Sequence, residues 1–397
     1  MFKNMKLSMK ISLGFALLLF IAIMLGGLAS WSMTNVKTTT TTLSEQNIPA
    51  VGLANEVERN SLVTMYAARG YAFTEETGYL DEARKNLTVV FETIKKSHEH
   101  AEQFNDTDSA EKANLAITKA AEYQKLLDET VVITGKLQEI QKTANTVAKE
   151  YMDVCSEFFK DQTNKLNEEI ETALTKGNAA EENKLGADKL KERYAKTELC
   201  NEIIHLGDGV RVEFWKAIAL RNPKMVEEAL KNFDAINQKL DDLKAITVHE
   251  VNLKQIEGCR TASGKYKQCM SNYLTNWLAR EDLGKKRTVA GNEVLDSAKT
   301  IATTAMEETT EASQSAAKSL GTATTTMFIG LGIGVVVGIS LSFFITRSIT
   351  LPINRIIGEL REGAEQVASA STQVSAASQS LAQGATEQAA GLEETSS

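Results

Sequence analysis

The stretch Thr322–Thr346, TATTTMFIGLGIGVVVGISLSFFIT, carries no charge over twenty-five residues, and Ile11–Ser30, ISLGFALLLFIAIMLGGLAS, carries none over twenty. Apolar runs of about 17–25 residues match the roughly 30 Å hydrocarbon core of a bilayer, where a helix satisfies every backbone group internally. The first run is too long for the apolar core of a signal peptide and leads into a polar helical pattern, so it reads as a retained anchor. Lys3, Lys6 and Lys10 precede it, and Arg347 and Arg355 follow the second run. Cations on those flanks put both ends in the cytoplasm and the segment between the runs outside.

Working outward gives a layout: residues 1–10 a cytoplasmic N-terminus, 11–30 a first transmembrane helix, 31–321 an extracytoplasmic ligand-binding domain, 322–346 a second transmembrane helix, 347–363 a short linker helix and 364–397 the start of a coiled coil. The fold class is all-α. Only three prolines occur, Pro49, Pro223 and Pro352, and the formal charge is −8. Scarce proline across long periodic stretches favours long helices. An acidic chain without a basic stripe excludes nucleic acid as a partner.

Polar and glycine-bearing clusters predict breaks at Thr74–Gly78, Asn105–Ser109, Lys176–Asn178, Arg221–Pro223 and Glu257–Gly264. Six outer helices follow, over about 36–73, 79–104, 109–175, 179–221, 224–256 and 265 onward. Their lengths suit two stacked four-helix bundles sharing the third and sixth helices. A short echo between Glu82–Leu87 (EARKNL) and Glu228–Phe233 (EALKNF) supports two modules.

Cys155 and Cys200 lie almost equally far from the turn near Gly177, so an antiparallel hairpin sets them at one height and a Cys155–Cys200 disulfide is expected. Cys259 and Cys269 could pair only if residues 258–264 form a loop, because ten residues along one helix separate them by about 15 Å. Four buried free thiols are the alternative. Catalytic and cofactor chemistry find no support: His98 and His100 point to different sides of a helix, and Gly330, Gly332, Gly334 and Gly338 mimic a nucleotide loop inside a membrane span. There they suit close helix packing. The chain reads as no enzyme, with no cofactor and no metal.

Arginines are more telling. Arg59, Thr64, Tyr66, Arg69 and Tyr71 mix cations and hydroxyls into one helix, and a guanidinium fork matches a carboxylate. A pocket for a small acid is one reading; surface arginines paired with Glu56, Glu58 or Glu75 are the other. Arg211, Trp215 and Arg221 offer a possible second site.

Past the second span, Pro352 should reset the helix. Val367, Val374, Leu381 and Gln388 then recur every seven residues, with Ala370, Ala377 and Gly384 at another heptad position. The closing run Gly384–Ser397, GATEQAAGLEETSS, resembles the first methylation helix of bacterial methyl-accepting chemotaxis proteins. The resemblance implies Glu387 and Glu394, seven apart, as methyl-accepting residues. Arg347–Leu360 resembles the first helix of the linker domain of such receptors, here shortened. The outer residues, through their length, layout and the Arg59–Tyr71 tract, resemble the helical bimodular class of receptor sensor domain. That class implies a small organic acid ligand held by arginines such as Arg59 and Arg69, and a homodimer in the inner membrane with a large periplasmic or extracellular domain. The chemotaxis kinase and its coupling protein are partners only if the chain belongs to a longer receptor, since the kinase-binding tip has no counterpart here. Two alternatives stand beside the acid sensor. A sensor of a periplasmic or surface protein predicts solvent-facing arginines; a structural anchored coiled coil predicts well-packed cores without a polar cleft.

Overall fold

The computed structural model describes residues 6–175 and 180–395. All regular structure among them is helical: α1 (Leu7–Thr42), a π-turn (Leu43–Asn47), α2 (Ile48–Thr74), α3 (Thr77–Gln103), α4 (Thr107–Thr175), α5 (Ala180–Leu220), α6 (Pro223–Leu230), α7 (Asn232–Ala245) and α8 (Glu250–Glu394). The chain divides into two units, Gln46–Glu307 and the pair of segments Met1–Glu45 with Glu308–Ser397.

Three turns in the first unit end in the same way. Glu75, Asn105 and Arg221 adopt left-handed backbone with φ of 64°, 56° and 52°. This conformation stops a helix cleanly, and for a residue with a Cβ other than Asn it costs about 1–2 kcal/mol. After Arg221, the Asn222 side chain accepts a bond from the Lys224 backbone N–H and Pro223 opens α6. An N-cap with proline in the first turn needs no other start signal. These turns fall where the sequence predicts them. The predicted turn at Lys176–Asn178 lies outside the described residues.

Two clusters of buried apolar side chains hold this unit together. One gathers Ala54, Val57 and Tyr71 of α2, Leu80, Leu87 and Ile94 of α3, Ala113, Tyr123 and Leu127 of α4, and Val294 and Ile301 of α8. The other gathers Tyr151 and Phe158 of α4, Ile203 and Phe214 of α5, Val226 of α6, Phe233 and Leu240 of α7, and Tyr266 and Trp277 of α8. Along α8 the inward row advances by three and four residues: Ile256, Cys259, Ser263, Tyr266, Met270, Tyr273 and Trp277 are all buried. That spacing is the apolar stripe of a bundle helix. Continued by the same steps, the row reaches Arg280 and Arg287 before returning to Ala290 and Val294.

Several expectations are corrected. The predicted break at Glu257–Gly264 falls instead at Ile246–His249, and Gly258 and Gly264 lie inside α8. An isolated glycine lowers helix stability by only about 1 kcal/mol, less than the packing of Ile256, Cys259 and Tyr266 contributes. The helix predicted over 224–256 is two short helices, α6 and α7. Because Cys259 and Cys269 share one continuous helix, the loop their pairing required does not exist. All four cysteines are buried free thiols. Cys155 and Cys200 are both free, so the Cys155–Cys200 bond is not made either; a hydrogen-bonding neighbour of the Cys155 thiol is Cys259. Pro352 lies inside α8 without ending it.

In the other unit, α1 packs antiparallel to α8 through the glycines of the second apolar stretch. A Cβ on Gly330 would clash with Leu25, on Gly334 it would meet Ile21 at 3.7 Å and on Gly338 Leu18 at 4.0 Å; Gly332 faces open space. Small residues let helices approach where lipid offers no hydrophobic drive between them. Both apolar stretches are almost entirely unburied within the protein, unlike core helices of a soluble domain. Together with the flanking cations, this makes the chain a multi-pass inner-membrane protein with a large periplasmic helical domain. It is an all-α protein in which two long apolar helices flank a helical bundle region.

Candidate functional site

The residues expected to form a pocket on α2 do not converge. Arg59, Tyr66 and Arg69 are exposed, whereas Thr64 and Tyr71 are buried. Thr64 donates its hydroxyl to the Asn60 carbonyl of its own helix at 2.8 Å. Burial, with the nearby Glu75 carboxylate adding to it, pushes the Tyr71 phenol up. Of the possible second site, Arg211 is half exposed and pairs with Asp208 at 2.7 Å, and Trp215 packs edge-on to Phe214. Glu387 is exposed on α8, and the side chain of Glu394 lies outside the described residues.

Arg69 and Arg221, assigned by sequence to separate sites, line one cleft. It measures about 420 Å³ and is also lined by Met65, Phe73, Tyr123, Trp277, Arg280, Glu281, Lys285, Arg287 and Thr288. Its cations come from three places. Arg69 projects from α2, Arg221 from the strained turn between α5 and α6, and Arg280, Lys285 and Arg287 from α8. The Arg221 guanidinium lies 3.8 Å above the Phe73 ring and donates to the Phe73 carbonyl. A non-glycine residue held left-handed while its side chain is pinned this way is strain offset by contacts, a common mark of a working site.

Arg280 is satisfied: it donates to Glu75 at 2.8 Å, and Glu75 also accepts from Gln138 at 3.0 Å. Glu281 accepts from the Trp277 indole N–H at 3.1 Å. Among the described residues Arg69, Arg221, Lys285 and Arg287 form no ion pair with any carboxylate. For Arg69 and Lys285, which are exposed, water suffices.

Arg287 is different. It is 5% exposed and donates to the Thr130 hydroxyl at 2.8 Å and the Ala68 carbonyl at 3.3 Å, with the Tyr123 ring 5.9 Å from its guanidinium carbon. Burial lowers its proton affinity, Tyr123 opposes that, and the neighbouring Arg69 charge adds to the lowering. Three cationic side chains are buried among the described residues: Arg193, Lys196 and Arg287. Arg193 pairs with Glu169 at 3.2 Å and Lys196 pairs with Glu192. Only Arg287 lacks a carboxylate. An unpaired buried charge costs several kcal/mol, so this arrangement is poised for an anion.

Sequence inspection missed Arg280, Lys285 and Arg287. For Arg280 and Arg287 the signal was present as arginines interrupting the apolar row of α8, visible only once that row's register is known; exposed Lys285 gave none.

A second feature lies on the opposite side of α2 from its core. Ile48, Leu62, Tyr66 and Phe73 are between 50% and 70% exposed. With exposed Gly52, Asn55, Arg59 and Arg69 they advance by threes and fours, giving one continuous solvent-facing seam.

No family model matches this sequence, and no curated protein matches it. Among solved structures, the TorS sensor domain, in a crystal structure of its complex with TorT in the presence of TMAO, overlays with a TM-score of 0.46 at 14% identity. The overlay covers 64% of this chain and 98% of that one.

Proposed function

We propose that this chain is a transmembrane sensor whose periplasmic domain receives its input from a protein partner docking on the outer face of α2. The observation that carries this reading is the seam of Ile48, Leu62, Tyr66 and Phe73, studded with Arg59 and Arg69, all facing solvent. Large apolar side chains in a continuous exposed row mark an interaction surface rather than scattered surface variation. A second copy anchored in the same membrane would run its α2 parallel, setting Arg59 against Arg59 and Arg69 against Arg69. Like charges facing each other disfavour that pairing. A partner offering apolar side chains and carboxylates fits better.

The rest of the reading follows the chain. Residues 31–321 are the periplasmic domain, built as two stacked four-helix bundles, and 11–30 and 322–346 are the spans. One helix, α8, supplies both cleft residues and the second span, so a change in its packing has a covalent route to residues 364–397. There Val367, Val374 and Leu381 form an exposed heptad row suited to a coiled-coil output. Resemblance to a methylation helix supports Glu387 and Glu394 as methyl acceptors, which intact-mass measurement after exposure to stimuli would reveal.

The docking surface is tested by placing a photo-crosslinking amino acid at Leu62 or Tyr66 in the full chain in its native membrane. The expected product joins the chain to one periplasmic protein, is absent from the same probe at Lys112, and is weakened by Arg59→Glu. A cross-link only to another copy of the chain, or none, refutes the proposal.

A further inference from the structure

We infer that the groove between α1 and α8 at the cytoplasmic end of the two spans holds one phospholipid with a net negative head group. The inference does not rest on the partner reading, because every residue that decides it lies within or beside the spans.

The groove follows from side-chain size on the two helices. Gly14 is buried against α8, where an added Cβ would meet Ile345 at 3.3 Å and Leu341 at 3.6 Å. The helices therefore touch along a narrow floor, and larger neighbours stand away from it as walls. Leu13 and Leu17 of α1 and Phe344 of α8 are between 43% and 68% exposed within the protein and border a volume of about 460 Å³. Lys10 and Ser348 close the cytoplasmic mouth, with the Lys10 ammonium donating to the Ser348 hydroxyl at 3.2 Å. Seven residues of helix separate Lys10 from Leu17 and Ser348 from Leu341, so the groove runs about 10 Å inward. One leaflet contributes roughly 15 Å of hydrocarbon, so an apolar slot of this depth is matched to an acyl chain below a head group.

Charge selects the head group. No Asp or Glu occurs from Met1 to Ser44 or from Ala312 to Gly358, whereas Lys3, Lys6, Lys10, Arg347 and Arg355 flank the spans on this side. Among the described residues only Arg355 of these makes an ion pair, with Glu359 at 2.9 Å. Positive flanks by themselves only orient a chain. Lys10 does more, because its ammonium is held at the mouth of an apolar groove by a neutral hydroxyl. That bond uses one of its three donors and leaves two for phosphate oxygens, as in basic pockets between helices that take anionic lipids. At the periplasmic end of the same helix pair, Ser32, Asn35, Thr322 and Thr326 interrupt the walls of the groove beside Lys318, which makes a poorer bed for an acyl chain. A lipid in the cytoplasmic groove touches α1 and α8 together and favours the packing in which Lys10 and Ser348 meet.

The test is native mass spectrometry of the full chain released from micelles doped with phosphatidylglycerol or with phosphatidylcholine of the same acyl chains. One phosphatidylglycerol per chain is expected to bind about fivefold more tightly than phosphatidylcholine, the discrimination that one cation gives near a head group. Lys10→Gln should erase that preference, and Lys318→Gln should keep it. Adding Ser8→Lys to Lys10→Gln returns the charge to the flank but not to the groove, and should not restore the preference. Glycerol 3-phosphate at the same concentration should leave the lipid in place. The proposal is overturned if the two lipids bind alike, if Lys6→Gln removes as much preference as Lys10→Gln, if Ser8→Lys restores it, or if glycerol 3-phosphate displaces the lipid.

Discussion

Replacing Arg287 by methionine should leave the unliganded protein as stable as wild type or more so. In the native fold the guanidinium sits 5% exposed, compensated by the Thr130 hydroxyl, the Ala68 carbonyl and the Tyr123 ring. Desolvation of such an ion costs several kcal/mol, and hydrogen bonds to a charged group return about 1.5–3 kcal/mol each. Methionine removes the charge, nearly fills the space beside Met65 and Tyr123, and orphans little. Thr130 already donates to the Leu126 carbonyl at 2.7 Å, and Ala68 lies within a helix. The net change should be a gain of about 0–3 kcal/mol, or up to roughly 10 °C in the unfolding midpoint for a domain of this size. The same substitution at Arg193 should act oppositely. It strips the partner from Glu169, whose side chain is 29% exposed, and frees the buried Gln162; a loss of about 1–3 kcal/mol is expected after allowance for solvent screening. Thermal unfolding of both variants in nanodiscs without added polyanion gives the comparison. If Arg287→Met loses more than about 1 kcal/mol, the arginine is a structural brace, and the argument that its charge awaits a ligand fails.

Gly207→Ala and Gly209→Ala, two residues apart on α5, should differ in sign. A Cβ at 207 would clash with the Tyr151 ring, which is fully buried and anchored by its hydroxyl to the Ile203 carbonyl at 2.6 Å, so a loss of about 2–4 kcal/mol is expected. At 209 only Asn232 comes near, at 3.7 Å, and the helix gains about 0.5–1 kcal/mol; chemical denaturation checks both. Native-state maleimide labelling should modify none of Cys155, Cys200, Cys259 and Cys269, and all four after unfolding without reductant; fewer than four would reveal a disulfide. Burial pushes the Cys200 thiol up to about 12 from an ordinary value near 9. The unfolded chain therefore releases this proton first, and stability falls as pH rises between those values. Cys200→Ala should flatten that alkaline slope by about 1.4 kcal/mol per pH unit, and an unchanged slope would show the thiol is not so buried.

Much of the architecture was legible because it depends on short-range patterning. Two uncharged runs, cations at their flanks and scarce proline specify helices and membrane spans with little help from distant residues. The turns at Glu75, Asn105 and Arg221 were marked by nearby glycine, proline and polar clusters. The turn at Ile246–His249 was not, since it lacks both glycine and proline, while Gly258 and Gly264 suggested a break that tertiary packing overrides. The thiols depended on rotation about the helix axis: height relative to a turn brought Cys200 level with Cys155, but only packed α4 and α8 show that Cys155 turns toward Cys259. The site divides in the same way. Arginine content flagged Arg69 and Arg221, yet 152 positions separate them. Joining them with Arg280 and Arg287 requires the phase of the α8 core row against two other helices. Composition and local periodicity thus determined which segments are helical and which enter lipid, because those outcomes are settled within a few turns of chain. Which cations share a cleft, and which one is left without a counter-charge, was decided only by how long helices rotate and pack against one another.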